Sequence, residues 1–271
     1  MKDLKGKVVL VTGAARGMGK LHAMTFGREG SRIVAVDLDE AAIEATAQEM
    51  RDQGYNVNVY IADVSNRSAC FALADQVKSD VGSVDVLINN AGIVKAEKVL
   101  NMSEQSFRRI TEVNYMGQVW MMQAFVPDMV SRKSGHVVNV SSTAGKIGVP
   151  DLGAYCATKF AIVGITDSIR QELQKNGVKF IIVCPGFIKT GMVKGAKPPL
   201  LTPWQDPQKV ADAVLRAVKN NKAEIFVPPV MLRLSSVGRA LAGPKIIDWI
   251  LLMIGGQKAF IEMEADRGRP F

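Results

Sequence analysis

Seven short apolar runs, rich in β-branched residues and largely without polar alternation, set the frame for this chain: residues 7–11, 32–36, 56–61, 84–88, 136–140, 179–183 and 224–227. Windows of helical composition separate them, at 17–30, 40–54, 66–81, 104–131, 154–176 and 207–219. A strand that is apolar on both faces needs cover on both faces, which is the condition of a parallel sheet sandwiched by helices. The alternation therefore predicts an α/β fold: a doubly wound parallel sheet of about seven strands with helices on both faces. No repeat, low-complexity tract or Pro/Gly/Ser linker divides the 271 residues, so 1–271 reads as a single domain. Hydrophobic residues at 48% and charged residues at 22% exclude disordered, coiled-coil and collagen-like classes.

Composition also narrows the setting. The longest stretch without a charged residue, 113–127, is only 15 residues and carries Asn114, Gln118 and Gln123, too short and polar for the ~20 apolar residues of a membrane span. The start, MKDLKGKVVLVTG, lacks the apolar core of a secretory signal, and a cytoplasmic protein is expected. Cys70, Cys156 and Cys184 are odd in number and widely spaced, so they read as reduced thiols. With His22 and His136 as the only histidines, no protein-built metal site is expected. The net charge of +8 suits anionic partners without choosing among them. No reader motif or aromatic-interleaved basic stripe supports nucleic-acid binding.

The first run leads directly into Thr12-Gly13-Ala14-Ala15-Arg16-Gly17-Met18-Gly19 and then a helical window. Glycines there permit a tight turn and let a pyrophosphate approach backbone amides at a helix N-terminus. The spacing is GxxxGxG rather than the commoner GxGxxG, and a Gly-rich strand-to-helix turn can also be purely structural. Asp37 closes the second run, 18 residues past Gly19. A carboxylate there accepts from a ribose 2′-hydroxyl and repels a 2′-phosphate, favouring NAD over NADP; its other reading is a cap on the helix beginning near Asp39. Arg16 pulls the other way, since a cation in the turn can pair with a 2′-phosphate.

Tyr155 and Lys159 stand four residues apart, one helical turn, on one face. A phenol ordinarily titrates near 10, so base work near neutrality requires about three units of depression, or ~4 kcal/mol. A neighbouring cation supplies such a term, although a Tyr/Lys pair at this spacing is also common on helix surfaces. Ser142 lies 13 residues before Tyr155, at the end of the run 136–140, where doubly wound folds bind ligands.

Together, TGxxxGxG, Asn89-Asn90-Ala91-Gly92, Asn114, Ser142, Tyr155-xxx-Lys159 and Pro185-Gly186 strongly resemble the short-chain dehydrogenase/reductase family, in order and spacing, over about residues 6–190. The resemblance implies a Rossmann fold and hydride exchange between a nicotinamide and an alcohol/carbonyl pair. It implies Tyr155 as general acid/base, Lys159 lowering the Tyr155 pKa and binding the nicotinamide ribose, and Ser142 holding the substrate oxygen. Asn114 would hold a water linking Lys159 to solvent, its other reading being a satisfied helix-interior amide. Gly13, Arg16, Gly17, Met18 and Gly19 would cradle the cofactor, Asp63-Val64 contact adenine, Asn90-Ala91-Gly92 wall the ribose, and Pro185, Gly186, Ile188 and Thr190 meet the carboxamide. Family members commonly form dimers or tetramers, here through 104–131 and 154–176.

Two stretches depart from the alternation. Residues 191–206, with four prolines in or next to them, read as a substrate lid whose Met192, Val193, Leu200, Leu201 and Trp204 suggest an apolar pocket for a bulky hydrophobic alcohol or ketone such as a sterol, retinoid or lipid-derived compound. Side chains that merely pack the lid explain them equally. The extension 229–271 reads as two short helices, 231–241 and 245–254, with two explanations: packing on protein, or peripheral membrane contact through Ile246, Trp249, Ile250 and neighbours beside Lys245 and Lys258. Two alternatives to an NAD-dependent dehydrogenase remain, an NADPH-dependent carbonyl or 3-oxoacyl reductase and a catalytically quiet NAD-binding regulator.

Overall fold

The computed structural model describes residues 1–200, 202, 204–229, 243–260 and 263. Their strands are β1 (Val8–Thr12), β2 (Arg32–Asp37), β3 (Val57–Ile61), β4 (Val86–Asn89), β5 (Gly135–Val140), β6 (Val178–Pro185) and β7 (Glu224–Val227). They form one sheet in the order β3-β2-β1-β4-β5-β6-β7, every neighbouring pair parallel. The seven predicted runs are these seven strands. All residues of β1, β4 and β5 are buried, which explains why those runs lack polar alternation.

Helices α1 (Gly17–Arg28), α2 (Glu40–Asp52) and α7 (Pro207–Lys219) cover one face, where Phe26, Ile43, Met50 and Val214 meet Val9, Val11 and Ile33. On the other face, α3 (Arg67–Asp80) and α5 (Gly117–Ser131) bring Leu73, Val77, Phe125 and Met129 against Leu10, Val34 and Leu87, with α4 (Glu104–Thr111) and α6 (Gly153–Glu172) alongside. Each such fully buried side chain contributes roughly 1.5–3 kcal/mol relative to exposure. Polar caps start several helices: Asp39 accepts from Ala42 N–H, Asn66 from Ala69 N–H and Asp206 from Gln208 N–H.

The single helical window expected over 104–131 is broken by a π-helical turn, Glu112–Met116, between α4 and α5. The turn carries the buried Asn114, whose amide is held by a neighbouring loop as described below. In the tail, the helix expected at 231–241 lies outside the described residues, while the second is α8 (Pro244–Met253). A short 3₁₀ turn, Gly256–Lys258, follows it and leads the chain back onto the lid.

Strand order reverses beside β1, between β2 and β4, so the crevice at the carboxyl ends of β1 and β4 is the topological switch point. Register aligns Val11 with Ile88, Asn89 with Asn139 and Val140 with Val183. The residues that follow these strands therefore emerge along one rim.

Candidate active site

At the β1 end of the rim, Gly13 has φ +67°, and a Cβ on it would stand 2.9 Å from Ala91 Cα. A Cβ on Gly19 would overlap the Gly13 carbonyl oxygen. Thr12 Oγ1 accepts from the N–H groups of both Asn90 and Ala91 at 3.0 Å, and Asn90 Nδ2 donates to Thr12 O at 2.9 Å. The turn and the residues after β4 are thus one cradle. Arg16 precedes α1 without a side-chain cap, so among the described residues no carboxylate or hydroxyl caps the first amides of that helix. Asn90 Oδ1 is likewise buried and without a hydrogen bond. Open amides at a helix start, with glycines where side chains would collide, fit a pyrophosphate.

Asp37 lies at the end of β2, half-buried. Its Oδ2 accepts from Ala15 N–H at 3.0 Å, and its Oδ1 from the N–H groups of Leu38 at 2.8 Å and Asp39 at 3.2 Å. The cap of α2 is Asp39 and not Asp37, so the helix-capping reading does not apply to Asp37. The Arg16 guanidinium forms an ion pair with Asp39. Asp63, against the raising effect of burial, is held below the usual carboxylate range by the Ser65 hydroxyl and amide and by Arg109, 3.4 Å away. Val64 beside it is buried against the start of α5, where a Cβ on Gly117 would come 3.0 Å from it.

Further along the rim, Asn114 Oδ1 accepts from Ile93 N–H at 2.8 Å and its Nδ2 donates to Ile93 O at 2.9 Å, a two-way clamp on the backbone after β4. Gly92 sits directly over it, since a Cβ there would stand 3.3 Å from Asn114 Oδ1 and 3.8 Å from Lys159 Nζ. Lys159 is buried and donates to Val140 O at 2.9 Å; its Nζ is 5.5 Å from the centre of the Tyr155 ring. The Ser142 hydroxyl accepts from Ala144 N–H at 3.1 Å and donates to Pro185 O at 3.4 Å, and it lines the same pocket as Tyr155. Ser141, by contrast, turns inward and donates to Lys159 O at 2.8 Å.

The electrostatics differ from expectation on one point. Burial pushes the Tyr155 phenol up to about 12, with Ser142 opposing it, so the phenol is raised where Lys159 was expected to lower it. Burial likewise pushes Lys159 down to about 8. Desolvation acts against the charged form of each group, and the ammonium spends its hydrogen bond on the Val140 carbonyl.

Pro185 ends β6, and Gly186 N–H donates to Val227 O at 2.9 Å. Ile188 is buried in the core, and Thr190 reaches across the cleft to within 4.0 Å of a Cβ placed on Gly17. Met18 packs on the core beneath the turn. The structure thus gathers the predicted residues from 13 to 190 along one rim.

Beside Ser142 and Tyr155 opens a pocket in whose lining, among the described residues, there is no charged side chain. Met192 and Val193 line it, as expected of the lid. Leu200 does not: it is 70% exposed, with its N–H tied to Ile254 O at 2.9 Å, and Trp204 instead packs edge-on against Phe187 at 5.9 Å. Leu201 lies outside the described residues. Sequence reasoning missed Val94, Leu152, Phe187, Ile254 and Phe260, all of which line the pocket. Phe260 stacks on Phe187 at 5.5 Å, and Lys197 N–H donates to Ala259 O at 2.8 Å, so this part of the tail packs on its own chain.

The model of the family described as short chain dehydrogenase matches residues 7–200. The chain is 38% identical over 236 residues to epidermal retinol dehydrogenase 2 of Homo sapiens, covering 85% of this chain and 76% of that protein. It is 37% identical over 230 residues to 17-beta-hydroxysteroid dehydrogenase 13 of Mus musculus, covering 84% and 75%. Among solved structures, a short-chain dehydrogenase/reductase from Burkholderia phymatum in complex with NAD aligns with TM-score 0.82 at 27% identity, over 90% of this chain and 98% of that one. A metagenomic short-chain oxidoreductase in complex with NADP aligns with TM-score 0.72 at 30% identity, over 83% and 97%. The chain belongs to the short-chain dehydrogenase/reductase family and is a nicotinamide-dependent oxidoreductase.

Proposed function

We propose that this enzyme uses NAD to interconvert an alcohol and its carbonyl on a bulky apolar substrate, of sterol, retinoid or lipid-derived type. The observation that carries the reading is the opening of Ser142 and Tyr155, backed by Lys159, onto a pocket whose described lining carries no charge. A low-polarity wall desolvates a large hydrocarbon and offers nothing to an acidic or polyol substrate. The retinol and hydroxysteroid dehydrogenases among the relatives support the same class.

Nicotinamide, when bound, would supply the hydride acceptor for alcohol oxidation and the hydride donor for the reverse reaction. Tyr155 Oη takes the hydroxyl proton in the first direction and gives it back in the second. Ser142 Oγ, lining the same pocket as the phenol, orients the substrate oxygen. Lys159 favours the phenolate when it forms, and Asn114, clamped to Ile93, fixes the backbone beside Lys159 through which a proton route to solvent would run. The glycines 13, 17 and 19, with Asn90, Ala91 and Gly92, would hold the dinucleotide, with Asp63-Val64 toward its adenine end and Pro185, Gly186, Ile188 and Thr190 toward its carboxamide end. Asp37 supports NAD: three backbone N–H groups fix its carboxylate where a 2′-phosphate would meet like charge.

The test is formation of reduced nicotinamide across alcohols of rising apolar size, with NAD and NADP in parallel and a Tyr155→Phe control. Turnover that grows with apolar size, prefers NAD and is cut about 10²–10⁴-fold in the control supports the reading. Preference for NADP favours the reductase, best activity on small polyols removes the substrate class, and NAD binding without turnover favours a regulator.

Two associations belong to the same proposal. Half-exposed Phe107 on α4 and Phe160 on α6 support a homodimer or homotetramer, which sedimentation would show. Among the described residues, no helix is long and apolar enough to cross a membrane. On α8, however, Ile246, Trp249, Ile250, Leu252 and Met253 are exposed next to Lys245, which supports peripheral contact with an anionic lipid surface. Co-sedimentation with anionic vesicles, lost in Trp249→Ser/Ile250→Ser, checks it; equal recovery removes it.

A further inference from the structure

We propose that Asp39 sets the choice of cofactor by holding Arg16 away from a 2′-phosphate, a positioning role that rests on the NAD reading above. Two carboxylates close the β2 end, and they do different work. Asp37 is fixed wholly by backbone, through the N–H groups of Ala15, Leu38 and Asp39. Its orientation therefore owes nothing to Arg16. Asp39 divides its two oxygens: Oδ1 accepts from Ala42 N–H at 3.1 Å to cap α2, and Oδ2 pairs with the Arg16 guanidinium. The helix it caps anchors the carboxylate, and the arginine comes to it.

Arg16 sits in the phosphate-facing turn, immediately before α1, with its side chain 47% exposed. A free guanidinium in that place would offer a planar fork suited to a phosphate. Paired with Asp39, it presents a neutralised couple instead. An incoming 2′-phosphate would have to separate that pair while also meeting Asp37. The ribose hydroxyls of NAD require neither. Because both partners are about half exposed, the pair adds little to stability. Asp39 can therefore be neutralised without unfolding the chain, leaving Arg16 free to turn to the nucleotide.

The experiment measures binding of adenosine 5′-monophosphate and of adenosine 2′,5′-bisphosphate by calorimetry, and kcat and KM for NAD and NADP, on the full chain. The variants are Asp39→Asn, Asp39→Ser, Arg16→Ala and Asp39→Asn/Arg16→Ala. Asn and Ser both keep an oxygen for the Ala42 amide, so a cap survives in each. The expected result is about tenfold tighter binding of the bisphosphate in both Asp39 variants, with monophosphate binding unchanged within about threefold. With NADP the gain appears as a lower KM at similar kcat. It disappears in the double variant, because Arg16 delivers it. An unchanged bisphosphate-to-monophosphate ratio overturns the proposal, as does a gain that survives Arg16→Ala, which would reduce Asp39 to a bulk negative charge. Wild-type preference for NADP would refute the NAD reading, and it is read from the unmodified chain, separately from the effect of Asp39→Asn.

Discussion

Lys159 holds its ammonium 5.5 Å from the centre of the Tyr155 ring while sharing almost no surface with solvent. Burial has pushed that ammonium down to about 8, so keeping it charged at neutral pH opposes folding. The folded chain releases this proton near pH 8, whereas the unfolded chain keeps it to about 10.5. Stability attributable to Lys159 therefore rises between those values, by about 3 kcal/mol. Denaturant unfolding of wild type against Lys159→Met across that window should show the difference curve. The variant should be the more stable near pH 7, lose its advantage by about pH 10.5, and be catalytically poor. A flat difference would show that the charge is not opposed.

His22 lies wholly inside the protein on α1, and neither ring nitrogen has a hydrogen-bond partner. Burial lowers it from 6.5 to about 4, so the unfolded chain takes up a proton that the folded chain refuses until about pH 4. Stability is full above pH 6.5 and falls as pH drops toward 4, by about 3 kcal/mol. His22→Leu should remove this part of the acid sensitivity, read as a flatter dependence of Tm on pH over that interval.

Gly19 faces the Gly13 carbonyl so closely that any Cβ must displace it. Gly19→Ala should weaken nucleotide binding by at least about tenfold, since the turn that presents the α1 amides cannot keep its shape. Quenching of tryptophan fluorescence by reduced nicotinamide measures it, with far-ultraviolet circular dichroism checking that the sheet still forms. Unaltered binding would mean that the dinucleotide does not use this turn.

Phe260 closes the pocket by stacking on Phe187. Phe260→Ala should raise KM for the largest apolar substrates by about tenfold, with kcat changed far less, because an apolar wall is lost and the proton-handling groups are not. Equal KM values would place the substrate elsewhere.

These residues also show where the sequence was readable. The strands announce themselves because burial on both faces leaves contiguous apolar runs, and the rim follows because parallel strands end together. Gly13, Ser142, Tyr155 and Lys159 sit at strand ends or one helical turn apart, so spacing alone orders them. Asn114 was legible as a residue but not as a geometry, since a π turn adds a residue without a distinct composition. Phe260 and Ile254 meet Phe187 and Leu200 across a long stretch of chain, through stacking and a backbone hydrogen bond that no local period encodes. The same hydrogen bond accompanies the outward turn of Leu200, against the expectation that it lines the pocket. The sequence shows Arg16 as a cation and Asp39 as the start of a helix, yet their pairing depends on how the first turn faces the second.

The return of residues 254–260 over the lid separates two inheritances in this enzyme. Among the described residues, every atom proposed to move a proton or grip the dinucleotide lies at or before Thr190, while Ile254, Gly256, Ala259 and Phe260 build one wall of the pocket. Exchanging that short return for another could retune what the enzyme accepts and leave its chemistry in place, so diversification of substrate can proceed at the tail without trial and error at the catalytic core.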